Sequence, residues 1–209
     1  GSGILPPCSN SQARVSMKKL EDYLYYEERD PNLKIYLGDC LDIMPLLPKV
    51  DLVVTDPPYN LKTKNQVDFR DGRERLLDFE SVIGEIDEDE LVNKISKIVN
   101  EKFSIVIWMA DRQFANFWIK LNKTENILPR YSLIWSKLNP APQLLKVRAT
   151  QAHEIAIVAT PKNNWGNWSG DANCWTVIEK SNVQGNERPD HPCPKPLSIM
   201  RNCINWYSF

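Results

Sequence analysis

Residues 50–59 have the sequence V-D-L-V-V-T-D-P-P-Y. Its first six residues are rich in β-branched side chains, which predicts a buried strand. Pro57 and Pro58 lack the backbone N–H that a sheet needs, so the strand has to end at Asp56. Ligands of α/β sheets bind at the carboxyl ends of strands. We therefore predict a functional site directly after this strand.

The sequence on both sides of this strand alternates short apolar runs with helical patterns. This alternation predicts an α/β fold with a mostly parallel sheet that carries helices on both faces. The polar, charged segment 61–77 is predicted to be a long loop of the kind that usually serves function. Further strands are predicted at residues 34–37, 103–108, 131–135, 154–159 and 174–178, and helices at residues 16–28, 40–47, 87–100, 111–121 and 196–206.

The composition is that of an ordinary globular protein. The chain has 209 residues, of which 42% are hydrophobic and 25% charged, and its net charge is −1. Any nucleic-acid contact must therefore come from a local basic patch. We expect one catalytic domain at 16–209, preceded by a flexible segment or tag remnant at 1–15, with no membrane span and a cytoplasmic location. Five cysteines without C-x-x-C spacing and only two histidines argue against a structural metal site.

The tetrapeptide after the strand combines groups that suit an amino-bearing ring. The Asp56 carboxylate can accept a hydrogen bond, and so can the carbonyl of Pro57, which has no partner in a sheet. The ring of Tyr59 is held beside both acceptors by the stiff pair of prolines. These residues predict a receptor for a planar group with an amino donor. The alternative is a turn that merely ends the strand.

Four sequence blocks, in the same order, connect this chain with a known family. Residues 35–60 resemble the amino-group DNA methyltransferases that use S-adenosylmethionine, in the group whose D-P-P-Y block precedes the cofactor block. S-L-I-W-S-K-L-N-P at 132–140 is similar to the W-x-K-x-N-x-x-P segment of that family. H-E-I-A-I at 153–157 is similar to its E-x-I-L strand. H-P-C-P-K-P at 191–196 is similar to its H-P-x-x-K-P block.

The resemblance implies a Rossmann-like methyltransferase sheet and a defined reaction. An adenine would be flipped out of double-stranded DNA. Asp56 and the Pro57 carbonyl would accept hydrogen bonds from its N6 amine, and Tyr59 would stack on its ring. Aspartate at the first position favours adenine N6 over cytosine N4 in this family, and a restriction–modification role is implied. The alternatives are methylation of cytosine N4 or of RNA, and a non-catalytic DNA-binding or regulatory relic of the fold.

The resemblance also assigns roles to individual residues. Each cofactor assignment has a structural alternative. Residues 38–39 can form a simple turn, and His191 can only shape its loop. Lys195 can be a solvated lysine before Pro196, which would start a helix. The predicted catalytic residues are Asp56, Pro57, Pro58 and Tyr59, and the predicted cofactor-binding residues are Asp39, Cys40, Asp56, His191, Lys195 and Pro196.

Basic residues on either side of the central strands are candidates for contacts with DNA phosphates. A solvated charged surface is the alternative for each of them. The Asn- and Trp-rich segment 163–188 is a candidate for target recognition, because asparagine can bind adenine edges. The predicted DNA-binding residues are Lys62, Lys64, Arg70, Arg73, Arg75 and Lys137.

The chain departs from the family at its end. A glycine-rich cofactor block should follow the H-P-x-x-K-P helix, whereas this sequence stops at Phe209. We therefore expect an incomplete sheet that lacks the first cofactor-binding strands. A truncated product, a shortened chain, and a chain completed by a second copy or a partner all fit this departure. Whether the chain alone is active is left open by the sequence.

Overall fold

The computed structural model describes residues 18–59, 86–142, 149–183 and 194–208, and the backbone of two short strands at 66–68 and 75–77. The chain divides into two compact units, Gly1–Leu46 and Leu47–Phe209. Each unit is described by itself. No helix among the described residues is long and apolar enough to cross a membrane.

The first unit is built around a two-stranded antiparallel sheet, β1 (Leu24–Glu28) with β2 (Leu33–Tyr36). A short helix, α1 (Cys40–Ile43), follows it and is capped by Asp39. The predicted helix at 16–28 is wrong for its described part, because a 3-10 turn at Leu20–Tyr23 leads directly into β1. All side chains of β1 are exposed, so no buried apolar face favours a helix there, and the aromatic pair of β1 favours an extended strand.

The second unit contains a five-stranded sheet of order β3-β6-β8-β7-β9. A separate two-stranded sheet of β4 and β5 lies within the segment that was predicted to be a loop. The strands are β3 (Val50–Thr55), β4 (Gln66–Asp68), β5 (Arg75–Leu77), β6 (Val99–Met109), β7 (Ile127–Lys137), β8 (His153–Pro161) and β9 (Val177–Lys180). The helices of this unit are α2 (Glu88–Ile98), α3 (Asp111–Lys123) and α4 (Leu197–Tyr207).

The five-stranded sheet is mixed, which corrects the prediction of a mostly parallel sheet. β3 and β6 are parallel, and so are β7 and β9. β8 lies antiparallel to both of its neighbours, β6 and β7. Antiparallel neighbours need no crossover helix. Strand direction depends on these connections rather than on the composition of the strands, so the apolar runs alone did not reveal it.

Helices cover both faces of the sheet, as predicted. Ile199, Cys203 and Tyr207 follow each other at helical spacing, so α4 buries one stripe against the sheet. Side chains of a strand alternate between faces, and Val106 and Trp108 of β6 belong to the face under α4. The opposite face packs against α3, which contacts β7 and β8. The resulting core fixes the carboxyl ends of β3 and β6 relative to each other.

Candidate active site

Three strands, β3, β7 and β8, and the residues just before α4 bring polar side chains to one end of the five-stranded sheet. Asp56 directly follows β3, and the partner strand β6 ends beside it with Met109. Because β8 runs against β6, its beginning lies at this same end, and Ile155 pairs with Met109. Glu154 precedes that residue, and the last residue of β7, Lys137, is nearby. We call the group of Asp56, Tyr59, Lys137, Glu154 and Lys195 the acidic cluster.

The ammonium group of Lys195 lies at the centre of the acidic cluster. Its Nζ is 2.6 Å from Asp56 Oδ2 and 3.0 Å from Glu154 Oε2. It also donates a hydrogen bond of 2.7 Å to the hydroxyl of Tyr59. The Lys195 side chain is only 7% exposed. Such short contacts between an ammonium and carboxylates are the strong, charge-assisted kind of hydrogen bond.

Glu154 links the two lysines of the acidic cluster. Its Oε1 is 2.7 Å from Lys137 Nζ, while its Oε2 accepts from Lys195 and, at 3.1 Å, from the Tyr59 hydroxyl. Two aromatic rings complete the surroundings of Lys195, whose Nζ is 5.1 Å from the ring centre of Tyr59 and 5.5 Å from that of Trp108. Aromatic faces attract cations. Carboxylates and aromatic rings together therefore hold the ammonium group of Lys195 in this site.

The environment sets the protonation of two members of the acidic cluster. Burial, together with the neighbouring carboxylates of Glu154 and Asp56, raises the pKa of Tyr59 far above its ordinary value, so its hydroxyl stays neutral. Burial alone would raise the pKa of Glu154. The ammonium groups of Lys195 and Lys137 outweigh this effect and hold the pKa below its ordinary value. Glu154 is therefore a carboxylate at neutral pH.

The lowered pKa of Glu154 predicts a pH dependence of stability. A carboxyl whose folded pKa lies below its unfolded pKa contributes stability above the unfolded pKa, about 4.3 for glutamate. That contribution is lost as the pH falls through the folded value. We expect Glu154→Gln to make the acid-side loss of stability between pH 7 and pH 3 less steep than in the unmodified chain. Urea unfolding midpoints across this range measure the difference, and equal slopes for both proteins would contradict it.

The structure places the predicted catalytic residues together. Pro57 is buried and Pro58 half-buried, and the backbone carbonyl of Tyr59 accepts a 2.9 Å hydrogen bond from Arg112 of α3. This bond anchors the turn after β3 on the neighbouring helix. Asp56 remains the most accessible acid of the acidic cluster, with its side chain 35% exposed, against 16% for Glu154. An incoming group would meet Asp56 first.

The predicted cofactor-binding residues are distributed between the two units. Asp39 caps α1 of the first unit by accepting a 2.8 Å hydrogen bond from the Leu41 N–H, and the exposed Cys40 begins that helix. Lys195 belongs to the acidic cluster, and Pro196 immediately precedes α4 as its N-cap. His191 lies outside the described residues. The cofactor assignment of these residues stays a prediction.

The predicted DNA-binding residues are mostly beyond what the structure describes. Lys137 is the exception, because its side chain is described. Its ammonium group binds Glu154 and lies 4.9 Å from the ring centre of Trp135. Arg75 belongs to β5, of which the backbone is described. Lys62, Lys64, Arg70 and Arg73 fall outside the described residues.

The first part of the segment 163–188 contacts the amino-terminal end of β3 and the middle of β6. The Asn167 N–H donates to Ser104 Oγ at 3.1 Å, and its side chain contacts the backbone carbonyl of Asp51. Gly166 has a φ of 70°, and a Cβ there would lie 2.3 Å from the Phe103 carbonyl oxygen. Only glycine fits this close approach. Target recognition by this segment stays a prediction, and residues 184–188 lie outside the described part.

Two residues of the site were not assigned a role from the sequence, Glu154 and Arg112. Glu154 stands at the start of an otherwise apolar strand, E-I-A-I-V-A, and a charged residue in that position is the signal that could have identified it. Arg112 carried no signal, because an arginine in the first turn of an amphipathic helix is ordinary. Among the described residues, no group of three or more His, Cys, Asp or Glu side chains could hold a metal ion.

Several solved structures share the fold of this chain. The chain is similar to M1.HpyAVI, solved as a SAM complex, with 20% identity and a TM-score of 0.54 over 78% of this chain and 68% of that chain. A second structure of M1.HpyAVI matches with 18% identity and a TM-score of 0.50 over 78% and 65%. PvuII DNA methyltransferase (cytosine-N4-specific) matches with 15% identity and a TM-score of 0.61 over 84% and 70%. The predicted Rossmann-like methyltransferase fold is thereby confirmed.

The sequence itself also matches a family. A profile of N6 and N4 methyltransferases, described as DNA methylase, covers residues 50–209. This range includes the whole acidic cluster and all five strands of the main sheet. The chain therefore belongs to the DNA methylase family, as its sequence blocks predicted.

Proposed function

We propose that this chain transfers a methyl group from S-adenosylmethionine to the exocyclic N6 amine of an adenine in double-stranded DNA. One observation carries the proposal. Asp56 Oδ2 already binds a nitrogen, the ammonium of Lys195, at 2.6 Å. The carboxylate is therefore placed and oriented to accept a hydrogen bond from an amino group at the carboxyl end of β3. The membership in the DNA methylase family supports the same reaction.

The residues after β3 have distinct tasks in this proposal. Asp56 and the Pro57 carbonyl accept hydrogen bonds from the target amine and orient its lone pair. The Tyr59 ring stacks on the flipped base, an interaction worth about 1–3 kcal/mol. When the amine gains the methyl group it must lose a proton, which the Asp56 carboxylate can accept. The negative charge of Asp56 also stabilises the positive charge that develops on the nitrogen.

The chemistry of the site fits the proposed cofactor. When bound, S-adenosylmethionine supplies an electrophilic methyl group on a positively charged sulfonium. Carboxylates and aromatic faces are the groups that attract such a cation. Asp56 and Tyr59 offer both at the accessible side of the acidic cluster, where they already hold an ammonium group. The assignment of Asp39, Cys40, His191, Lys195 and Pro196 to the cofactor rests on the family resemblance of their sequence blocks alone.

Cytosine N4 is the second candidate acceptor. PvuII DNA methyltransferase, which is described as cytosine-N4-specific, shares the fold of this chain with a TM-score of 0.61. The exocyclic amines of both bases offer the same N–H donors to Asp56. The aspartate at the head of the D-P-P-Y block favours adenine. A second copy or a partner chain that completes the protein, and a cytoplasmic location, also belong to this proposal.

Nucleoside analysis tests the proposed reaction. The protein is incubated with S-adenosylmethionine carrying a tritiated methyl group and with unmethylated genomic DNA, and the DNA is digested to nucleosides. We expect the label in N6-methyldeoxyadenosine. Label in N4-methyldeoxycytidine would instead establish the second candidate. A folded protein that labels neither nucleoside would overturn the proposal and favour a non-catalytic relic of the fold.

A further inference from the structure

We propose that Glu154 is a positioning residue that holds Lys195 as an internal substitute for the target amine. In the resting site the Lys195 ammonium occupies the amino-group position on Asp56, and the target amine displaces it during binding. The Lys195 ammonium then stays paired with the Glu154 carboxylate. This inference rests on the proposed function in one respect, namely that the group which displaces Lys195 is the exocyclic amine of a base.

The hydrogen bonds of Lys195 show that its position is fully determined. An ammonium has three N–H donors. Their three acceptors are Asp56 Oδ2 at 2.6 Å, the Tyr59 hydroxyl at 2.7 Å and Glu154 Oε2 at 3.0 Å. Every donor has a partner, although the side chain is only 7% exposed. The ammonium therefore occupies the position on Asp56 Oδ2 that another amine would take.

Burial distinguishes the two carboxylates that hold Lys195. The Asp56 side chain is 35% exposed, so water can replace a lost partner there. The Glu154 side chain is 16% exposed, and separating a buried ion pair is costly because it leaves a charge without compensation. The contact with Asp56 is therefore the one that yields to an incoming amine, and the contact with Glu154 persists.

Lys137 fixes Glu154 from the other side. Its Nζ binds Glu154 Oε1 at 2.7 Å, while Lys195 binds Oε2. The glutamate is held through both oxygens and cannot follow Lys195 towards Asp56. Once Lys195 yields, the Asp56 carboxylate is no longer neutralised by an ammonium. Its full charge then acts on the positive charge that develops on the target nitrogen, where preorganised electrostatics contribute most.

Chemical modification of Lys195 tests this arrangement without cofactor or DNA. Formaldehyde and a borane reductant dimethylate accessible lysines, and peptide mass spectrometry gives the rate at each position relative to the exposed Lys162. We expect Glu154→Gln to speed modification of Lys195 by about tenfold or more, which corresponds to one charge-assisted hydrogen bond. Asp56→Asn should change the rate by less than about threefold, because the more buried partners remain. Glu101→Gln is the matched control and should leave the rate nearly unchanged, because it makes the same chemical change at an exposed residue in the amino-terminal part of β6.

The opposite order of effects would overturn the proposal. The proposal fails if Asp56→Asn speeds the modification of Lys195 while Glu154→Gln has no effect. Asp56 would then be the principal partner of Lys195. Modification of Lys195 in the unchanged protein as fast as that of Lys162 would mean that the ammonium is not held at all. Circular dichroism establishes that each variant is folded. Glu154→Asp, which keeps the charge, is measured beside Glu154→Gln and should retain more of the protection.

Kinetics give a second readout that a purely structural role would not produce. In Glu154→Gln, displacing Lys195 from Asp56 leaves a buried ammonium without an anionic partner. We therefore expect KM for DNA to rise about tenfold while kcat changes less than about threefold. A fall in kcat with unchanged KM would contradict the positioning role. Because the modification experiment needs no turnover, a protein without methyl-transfer activity would overturn the proposed function and leave this inference separately testable.

Discussion

Asp56→Asn is expected to lower the rate of methyl transfer by about 10²–10³, the usual effect of removing one preorganised group that stabilises charge in the transition state. The amide keeps an oxygen of similar position but loses the negative charge. It also adds an N–H group that repels the N–H groups of the target amine. Tritium transfer from S-adenosylmethionine to unmethylated DNA, measured at saturating cofactor and DNA, gives the rate.

Asp51→Asn is the matched control for this experiment. Asp51 lies on the same strand, at its amino-terminal end, and its carboxylate accepts a hydrogen bond from Asn100. The substitution makes the same chemical change far from the acidic cluster, so we expect the rate to stay within about twofold. A folded Asp56→Asn protein with the activity of the Asp51→Asn control would show that Asp56 is not the acceptor of the amine. Folding of Asp56→Asn is expected, because Lys195 retains Glu154 and Tyr59 as partners.

Trp135→Ala is expected to lower the free energy of unfolding by about 3–5 kcal/mol, as is typical of a large aromatic side chain lost from a core. Trp135 is 2% exposed and belongs to the core under α4. Its Nε1 donates a 2.7 Å hydrogen bond to the Lys180 carbonyl and thereby ties β7 to β9. Urea unfolding followed by circular dichroism measures the change.

Trp135→Phe separates packing from hydrogen bonding in this prediction. Phenylalanine keeps most of the buried apolar surface and loses only the indole N–H. The Lys180 residue is exposed, so water can satisfy its carbonyl, and we expect a cost of about 1 kcal/mol. If alanine costs no more than phenylalanine, the ring does not hold the core together. The alanine variant should also disturb the site, because Lys137 lies over this ring at the end of β7.

These expectations share a physical basis. The acidic cluster is a set of charged side chains that compensate each other at one end of the strands of a well-packed sheet. Replacing Asp56 removes the group that accepts the hydrogen bond of the amine, and replacing Glu154 removes the anchor of Lys195. Replacing Trp135 weakens the packing of the core next to these residues. The three changes therefore affect rate, KM and stability in different proportions. Measuring all three quantities on each variant distinguishes chemistry from positioning and from packing.

The sequence alone determined those parts of the protein that depend on local chemistry. The strand Val50–Thr55 is confirmed at its predicted bounds, because β-branched residues favour an extended chain and two prolines end it. The helix predicted at 87–100 is confirmed as α2, since Asp87 caps its first turn by accepting from the Asp89 and Glu90 N–H groups. The family followed from four blocks in a fixed order, and the profile match at 50–209 confirms it.

Local patterns failed where long-range packing competes with them. The amphipathic pattern at 16–28 gave a strand in its described second half, because Leu24–Glu28 pairs with Leu33–Tyr36. The strand predicted at 174–178 is found at Val177–Lys180, in register with the end of β7. In both cases the hydrogen bonds to a neighbouring strand, which no short window of sequence contains, decided the outcome.

The tertiary structure alone decided which residues meet at the site. Glu154, Lys195 and Arg112 lie far from Asp56 in the sequence, yet all three contact the turn after β3 or the ammonium beside it. Their meeting depends on β8 running against β6, which brings the beginning of one strand to the end of the other. Strands and turns form through interactions between residues that are neighbours in the sequence. Buried charged side chains from distant segments find their partners only when the sheet has assembled.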